Sequence, residues 1–304
     1  MIYLLYIFFI PILLFSTELI TPIPLTSDIN VQKANLGKEL FFEKRLSQTN
    51  TISCSSCHDI PNGGDDGRKF SLGVNNKIGN INSPTVLNTR YNFVQFWDGR
   101  SSDLKDQISD PIHNTIEMNS NFPEIIKKLE SQPFYINQFA KVYKSGITEE
   151  NIKDAIVEFE KSLTTPNSKF DKYLRGDENA LSENEKTGYE LFKSYGCISC
   201  HNGTNLGGNL YQKIGIISPY YKEETNNLGR YNITKKDDDK FYFKVPTLRN
   251  IELTAPYLHD GSIKELNIVI RLMLKYQVGA IYEEKDIKYI EDFLKTLSGE
   301  IPKI

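Results

Sequence analysis

Cys54-Ser55-Ser56-Cys57-His58 and Cys197-Ile198-Ser199-Cys200-His201 are two copies of one signature, C-x-x-C-H. In that spacing two thiols add to the edge of a porphyrin and the adjoining imidazole ligates its iron, which makes it the attachment motif of a c-type haem. The two copies use all four cysteines and two of the four histidines. A C-x-x-C pair also serves as a redox dithiol or as half of a zinc site. A dithiol needs no following histidine, and its usual α/β setting is missing here. A four-cysteine zinc site would have to unite two distant pairs, each already carrying its own histidine. A disulfide framework does not suit so long a chain with so few cysteines. The expectation is two covalently bound haem c groups, with His58 and His201 as iron ligands.

The elements that must position these motifs are helices. The chain has 304 residues, enough for about two domains. Hydrophobic content of 39% and charged content of 25% describe an ordinary globular protein, and a net charge of −3 argues against a nucleic-acid partner. Ile152, Ile156, Phe159 and Leu163 recur at helical spacing. Ser182-x-x-Glu185 reads as a capping box, and Ser262-x-x-Glu265 reads the same way ahead of Ile268, Ile270, Leu272 and Met273. Ile287, Ile290, Phe293, Leu294 and Leu297 mark a last helix, stopped near Gly299. Strand signals are scarce. Asn62 to Pro84 and Gly203 to about Asp239 read as loop, the second ending in the solvated charge run Lys235 to Lys240.

A short echo precedes each haem motif: Gly37-Lys38-Glu39-Leu40-Phe41 and Gly188-Tyr189-Glu190-Leu191-Phe192, both G-x-E-L-F. A helix delivering Leu and Phe to a haem face accounts for it, and the repetition suggests duplicated units. The expected fold is therefore mainly α, with two cytochrome c-like domains, 21–165 and 166–304, each carrying one covalent haem among long irregular loops. The connection is placed near Thr164 to Ser168. Ile2 to Phe15 is almost continuously apolar but short for a bilayer span. It reads as the core of a secretory signal peptide, with an uncleaved membrane anchor as the alternative, so 1–20 is set apart. Either form exports the chain, and covalent haem attachment on the outer side of the inner membrane agrees with a periplasmic place.

Beyond the motifs come Phe96-Trp97-Asp98-Gly99-Arg100, Asp103-Leu104-x-x-Gln107 and Glu117-Met118. The second half carries Lys244-Val245-Pro246-Thr247-Leu248-Arg249-Asn250, then Leu253 to Ser262, then Leu272-Met273 and Gln277-Val278-Gly279. From about Leu36 to Ser298 this order resembles the bacterial di-haem cytochrome c peroxidases. The resemblance implies a peroxidatic haem on His58, with Glu117 moving a proton between the two oxygens of hydrogen peroxide and Gln107 orienting it. A carboxylate in an apolar pocket would be raised towards the working pH, which suits that task.

The resemblance further implies an electron-transfer haem on His201, with Met273 as its second axial ligand, a thioether that raises the iron potential. Trp97 would lie between the haems and help carry electrons. His259 would bond a haem propionate. One calcium ion would sit between the halves at Asn82 and the carbonyls of Thr254 and Pro256, hard oxygen ligands suited to it. The donor would be a small reduced cytochrome c or a cupredoxin-like protein, and a homodimer is the family's tendency.

Many members of the family carry a histidine in the loop before the N-A/S-P-T stretch, which closes the peroxidatic site in the oxidised enzyme. Here that position is Val74, so the expectation is a site without this gate. His113, four residues before Glu117, is the one histidine without a role: an alternative ligand, or a residue packed near the pocket or the haem edge. Two other readings stand beside the peroxidase. One is a relative that oxidises a protein substrate, like the di-haem maturation enzyme of methylamine utilisation, which carries tyrosine where this chain has Met273. Tyr276, one helical turn on, keeps that reading open. The other is a dihaem electron carrier without catalysis, in which Glu117 and Gln107 have no task.

Overall fold

The computed structural model describes residues 19–26, 28–221 and 227–303. The apolar run Ile2 to Phe15 lies outside them. Among the described residues no helix is long and apolar enough to cross a membrane. Eleven α-helices are present there: α1 (Val31–Phe41), α2 (Leu104–Gln107), α3 (Ser109–His113), α4 (Phe122–Glu130), α5 (Pro133–Val142), α6 (Glu149–Ser162), α7 (Lys169–Leu174), α8 (Glu183–Ser194), α9 (Tyr231–Thr234), α10 (Leu266–Leu272) and α11 (Glu284–Lys295). The only sheet among them is an antiparallel pair, β1 (Tyr211–Lys213) and β2 (Tyr242–Lys244), with Gln212 opposite Phe243. The fold is mainly α, as the periodicities indicated.

Two helix crossings organise the chain, α1 on α6 and α8 on α11. They are built alike, and the G-x-E-L-F echo shows why. A Cβ on Gly37 would lie 1.9 Å from the Ala155 carbonyl oxygen on α6, and one on Gly188 would lie 1.9 Å from that of Tyr289 on α11. Only hydrogen at those positions lets the backbones come this close. The phenylalanine of each echo then packs against a phenylalanine of the partner helix: Phe41 on Phe159 at 5.2 Å between ring centres, Phe192 on Phe293 at 5.3 Å. The same two rings lie 6.5 Å from the imidazoles of His58 and His201. The echo thus supplies both the crossing and the ring beside each haem histidine.

The largest buried apolar cluster of the first half gathers α1, α4, α5 and α6 around Leu40, Phe122, Phe139 and Ile156. That of the second half gathers α7, α8, α10 and α11 around Phe170, Tyr189, Ile270 and Phe293. Thr165, fully buried at the connection, receives Asn88 and Asn250 side-chain N–H groups from either side, at 2.8 and 2.9 Å. The segment at 20–23, although first in sequence, packs on the second half. Ile20 enters its core, the Ile23 N–H donates to Asp171, and Arg249 donates to the Thr21 carbonyl. Arg249 and Asp171 themselves form a fully buried ion pair at 2.8 Å.

The Ser182–Glu185 capping box opens α8 as expected. Ser262 does not cap α10. That helix starts at Leu266 with Glu265 as its N-cap and no side-chain cap bond, because the Ser262 N–H is already held by Asp260 in a tight turn. The stretch from Gly203 to Asp239 is less irregular than expected, since it contributes β1 and α9.

Candidate haem centres and peroxide site

Each C-x-x-C-H motif is wound on a short 3-10 turn, Cys54–Ser56 and Cys197–Ser199. The histidine N–H closes each turn onto the first cysteine's carbonyl, at 3.1 Å for His58 and 2.9 Å for His201. Both cysteines and the histidine of each motif line a cavity. His58 Nδ1 lies 3.1 Å from the Gly64 carbonyl and His201 Nδ1 lies 3.2 Å from that of Leu206. An Nδ1–H committed to a carbonyl leaves the Nε2 lone pair for a metal. Burial holds both imidazoles neutral, lowering His58 below its ordinary value and His201 to about 4. The thiols are not those of a redox dithiol. Burial pushes Cys54 up to about 12 and Cys57 and Cys197 up to about 11, the reverse of an activated thiolate. Among the described residues no cluster of three or more His, Cys, Asp or Glu side chains could hold a metal, so the two cysteine pairs do not form a zinc site.

One cavity of about 640 Å³ touches both motifs. Its wall is largely apolar, and two of its polar residues suit the charged edge of a haem. Lys244 is buried, its ammonium lowered to about 8 by that burial and pulled back up by Asp98. His259 is buried too, lowered by burial to about 4, and stacks on Phe243 at 4.2 Å. Neutral Nε2 donors, thiols lining the same cavity, an apolar wall and a buried cation fit haem at both motifs.

Glu117 and Gln107 line this cavity together with His58. Burial raises the Glu117 carboxyl above the usual range, while the Arg100 charge and an Asn114 hydrogen bond pull it back down. Asn114 Nδ2 donates to Glu117 Oε1 at 2.7 Å, which fixes the carboxyl plane and leaves Oε2 for a ligand. Arg100 is itself held by Asp98 at 3.1 Å and lies 3.4 Å over the Phe96 ring. Met273 lines the cavity on the His201 side, at the point where α10 passes into a π-helical turn, Met273–Val278. Such turns are rare and recur at functional sites. Tyr276 does not line the cavity; its ring packs on Tyr220.

Trp97 touches segments of both halves. Its Nε1–H donates to the Asn82 carbonyl at 2.9 Å, its own carbonyl accepts from Lys244 N–H, and its ring faces His259 at 6.3 Å. Asn82, Thr254 and Pro256 lie on the same wall. The Asn82 amide nitrogen donates to the Arg68 carbonyl at 2.9 Å, which turns its Oδ1 away from that carbonyl and leaves it for a cation. Val74 is fully buried, and its N–H donates to the Glu117 carbonyl at 2.8 Å. His113 is exposed, edge-on to Phe122 at 5.7 Å, and does not line the cavity. The expectation that it ligates, or packs at the pocket or haem edge, is corrected: α3 turns its last residue outward.

Sequence reasoning passed over Asn114, Arg100, Lys244 and Glu160. Glu160 is the most unusual of them. It lines the cavity, its Oε2 is buried with no hydrogen-bond partner, and burial alone raises it to about 8. The signal was present, since an acidic residue four places after Ile156 interrupts the apolar stripe of α6.

The family profile for di-haem cytochrome c peroxidase matches residues 31–179. The chain is 46% identical to cytochrome c551 peroxidase of Nitrosomonas europaea over 290 residues, 94% of this chain and 86% of that protein. This chain belongs to the di-haem cytochrome c peroxidase family. It is also 48% identical to a cytochrome c peroxidase of Escherichia coli over 285 residues, 93% of this chain but only 61% of that longer protein. Among solved structures it is similar to a MauG-like protein associated with microbial copper homeostasis, with a TM-score of 0.81, 27% identity and coverage of 92% and 93% of the two chains.

Proposed function

We propose that this protein reduces hydrogen peroxide to two molecules of water, using two electrons from two one-electron donors and two protons from solvent. The observation that carries this reading is the half-buried, raised carboxyl of Glu117, which lines the same cavity as Gln107 and the His58 imidazole. The two names borne by relatives at 46–48% identity support it. When bound at the two motifs, haem supplies the redox couples. The rest is done by side chains. Gln107 holds peroxide by its amide, and Glu117 Oε2 accepts the proton of the near peroxide oxygen. The same oxygen atom of Glu117 then delivers that proton to the far one, so that the group leaving is water. Asn114 keeps the carboxyl turned for both halves of the transfer.

On the His201 side Met273 and His201 would together hold the haem iron, and the redox couple so held would serve to relay electrons. Trp97 bridges the two centres, and Lys244 and His259 hold haem carboxylates. Asn82, Thr254 and Pro256 bind calcium. The two crossings, α1–α6 and α8–α11, are the frames of two cytochrome c-like units divided at Thr165. The donor is a small reduced cytochrome c or a cupredoxin-like protein, and the apolar leader and covalent haems fit a periplasmic enzyme. A Glu117→Gln variant tests the assignment: peroxide turnover should fall by about 10²-fold or more, the scale of general acid–base catalysis, with peroxide-free spectra unchanged. Turnover equal to the parent's would refute it.

With His58, His201 and His259 so assigned and His113 on the surface, no imidazole is left to close the peroxide site, and Val74 cannot ligate. In the resting oxidised enzyme a haem held by His58 would therefore have no second histidine to close it. Electron paramagnetic resonance of the oxidised, haem-loaded protein should show one centre without a second protein ligand; a purely low-spin spectrum from both would end this idea.

A further inference from the structure

A file of rings leads away from the cavity. Trp97 faces His259 at 6.3 Å between ring centres, and Tyr221 lies 5.0 Å from that imidazole. Tyr221 meets Tyr220 edge-on at 4.7 Å, and Tyr220 meets Tyr276 at 5.2 Å. Trp97 and His259 line the cavity; the three tyrosines do not. Tyr276 is half-exposed, beside the exposed Lys275. The file therefore runs from the wall of the redox site to solvent.

Indole and phenol are the neutral rings that yield a single electron most readily, and here they occupy both ends of a file whose neighbours touch. A phenol yields that electron far more easily when a base stands ready for its proton. After burial, the Asp260 carboxylate is the strongest influence on the Tyr221 hydroxyl, and it acts on Tyr220 as well. Both hydroxyls are also influenced by Ser262, whose backbone N–H Asp260 holds at 3.1 Å. The Tyr221 hydroxyl is buried and has no hydrogen-bond partner among the described residues, so its proton is committed to no acceptor there. A purely packing role would require only the rings. The Asp260 charge that acts on both hydroxyls is the part that packing leaves unexplained.

We propose that this file carries oxidising equivalents from Trp97 outward to Tyr276, where small phenol- or hydroquinone-type reductants discharge them. The proposal rests on the peroxidase reading, because peroxide is the oxidant. In the first step an oxidised Trp97 indole takes one electron from Tyr221 across the His259 edge. The Tyr221 O–H bond breaks, its proton passes to the Asp260 carboxylate, and the indole is restored. Asp260 returns that proton to Tyr221 as Tyr220 gives Tyr221 an electron, then takes the Tyr220 proton and returns it as Tyr276 gives Tyr220 an electron, while the Tyr276 proton passes to solvent. A reductant in solution finally returns one electron and one proton to Tyr276. Through this exit the enzyme turns over small organic reductants as well as a protein donor, and it drains oxidation that would otherwise damage the cavity wall.

Tyr276→Phe and Tyr221→Phe keep the rings and remove only the hydroxyls. The haem-loaded protein, containing ring-deuterated tyrosine, is mixed with excess hydrogen peroxide without a protein donor and frozen for electron paramagnetic resonance. The expected result is a radical signal narrowed by the deuteration, with its yield several-fold lower in both variants. Peroxide reduction driven by hydroquinone should fall several-fold in both, while turnover driven by reduced cytochrome c stays at the parent's rate. A parent active with cytochrome c but without a tyrosine-derived signal overturns the proposal alone. So do variants that keep the parental radical yield and hydroquinone rate. A parent inert towards peroxide overturns the peroxidase reading, and this proposal with it.

Discussion

Replacing Glu160 by glutamine should change the pH dependence of stability in a direction opposite to that of an ordinary ion-paired carboxylate. Glu160 has no cation among its influences; burial alone raises it from 4.5 to about 8. Below about pH 4.5 the carboxyl is protonated in both folded and unfolded chains, and it costs nothing. Between those two values the unfolded chain has released its proton while the folded chain still holds one. Stability then falls as pH rises, by about 1.4 kcal/mol per pH unit. The accumulated cost is about 3 kcal/mol at about pH 7 and levels off near 5 kcal/mol above about pH 8. An amide cannot titrate, so Glu160→Gln removes this slope. Any fixed cost of burying the amide is the same at every pH. Equilibrium urea unfolding of the haem-loaded parent and variant, compared from about pH 5 to about pH 8, isolates the difference. The variant should gain about 2–3 kcal/mol on the parent between about pH 5 and about pH 7. A stability difference constant across that range would mean that Glu160 is not a buried, unpaired acid in the folded protein.

Two further outcomes follow from the same physics. Arg100 opposes the burial that raises Glu117; in Arg100→Gln the carboxyl should rise further. Because Glu117 in its proposed role must be ionised to take the peroxide proton, the acid limb of kcat/KM should move to higher pH, while an unmoved limb would separate Arg100 from Glu117. Gly37→Ala and Gly188→Ala each place a methyl 1.9 Å from a backbone carbonyl oxygen. Each should lose about 1–3 kcal/mol in urea unfolding through forced separation of the helices, with equal costs at the two equivalent crossings.

Much of this site was legible as letters. The C-x-x-C-H motifs, the FWDGR, DLKDQ and EM runs and the KVPTLRN stretch are patterns of adjacency, and adjacency survives without coordinates. The helices at 152–163 and 287–297 were legible because burial on one face imposes a helical period on the chain. The Ser262 cap was misread because the same letters also make a turn, and the Asp260 side chain claimed the Ser262 N–H first.

The echo was visible but only half understood. Its Leu and Phe pointed to a haem face, whereas the reason for its glycine is a carbonyl oxygen on a helix more than 100 residues away.

By itself, then, the sequence determined the two C-x-x-C-H motifs, the family and the mainly helical fold, because each is written in local order or periodicity. Only the tertiary structure decided which of Met273 and Tyr276 faces the cavity, that His113 is on the surface, that Asn114 grips Glu117, that Glu160 is buried without a partner, and that three tyrosines form a file behind His259. Those are matters of which groups exclude water from one another. Burial and contact belong to the whole packed chain and to no stretch of it alone.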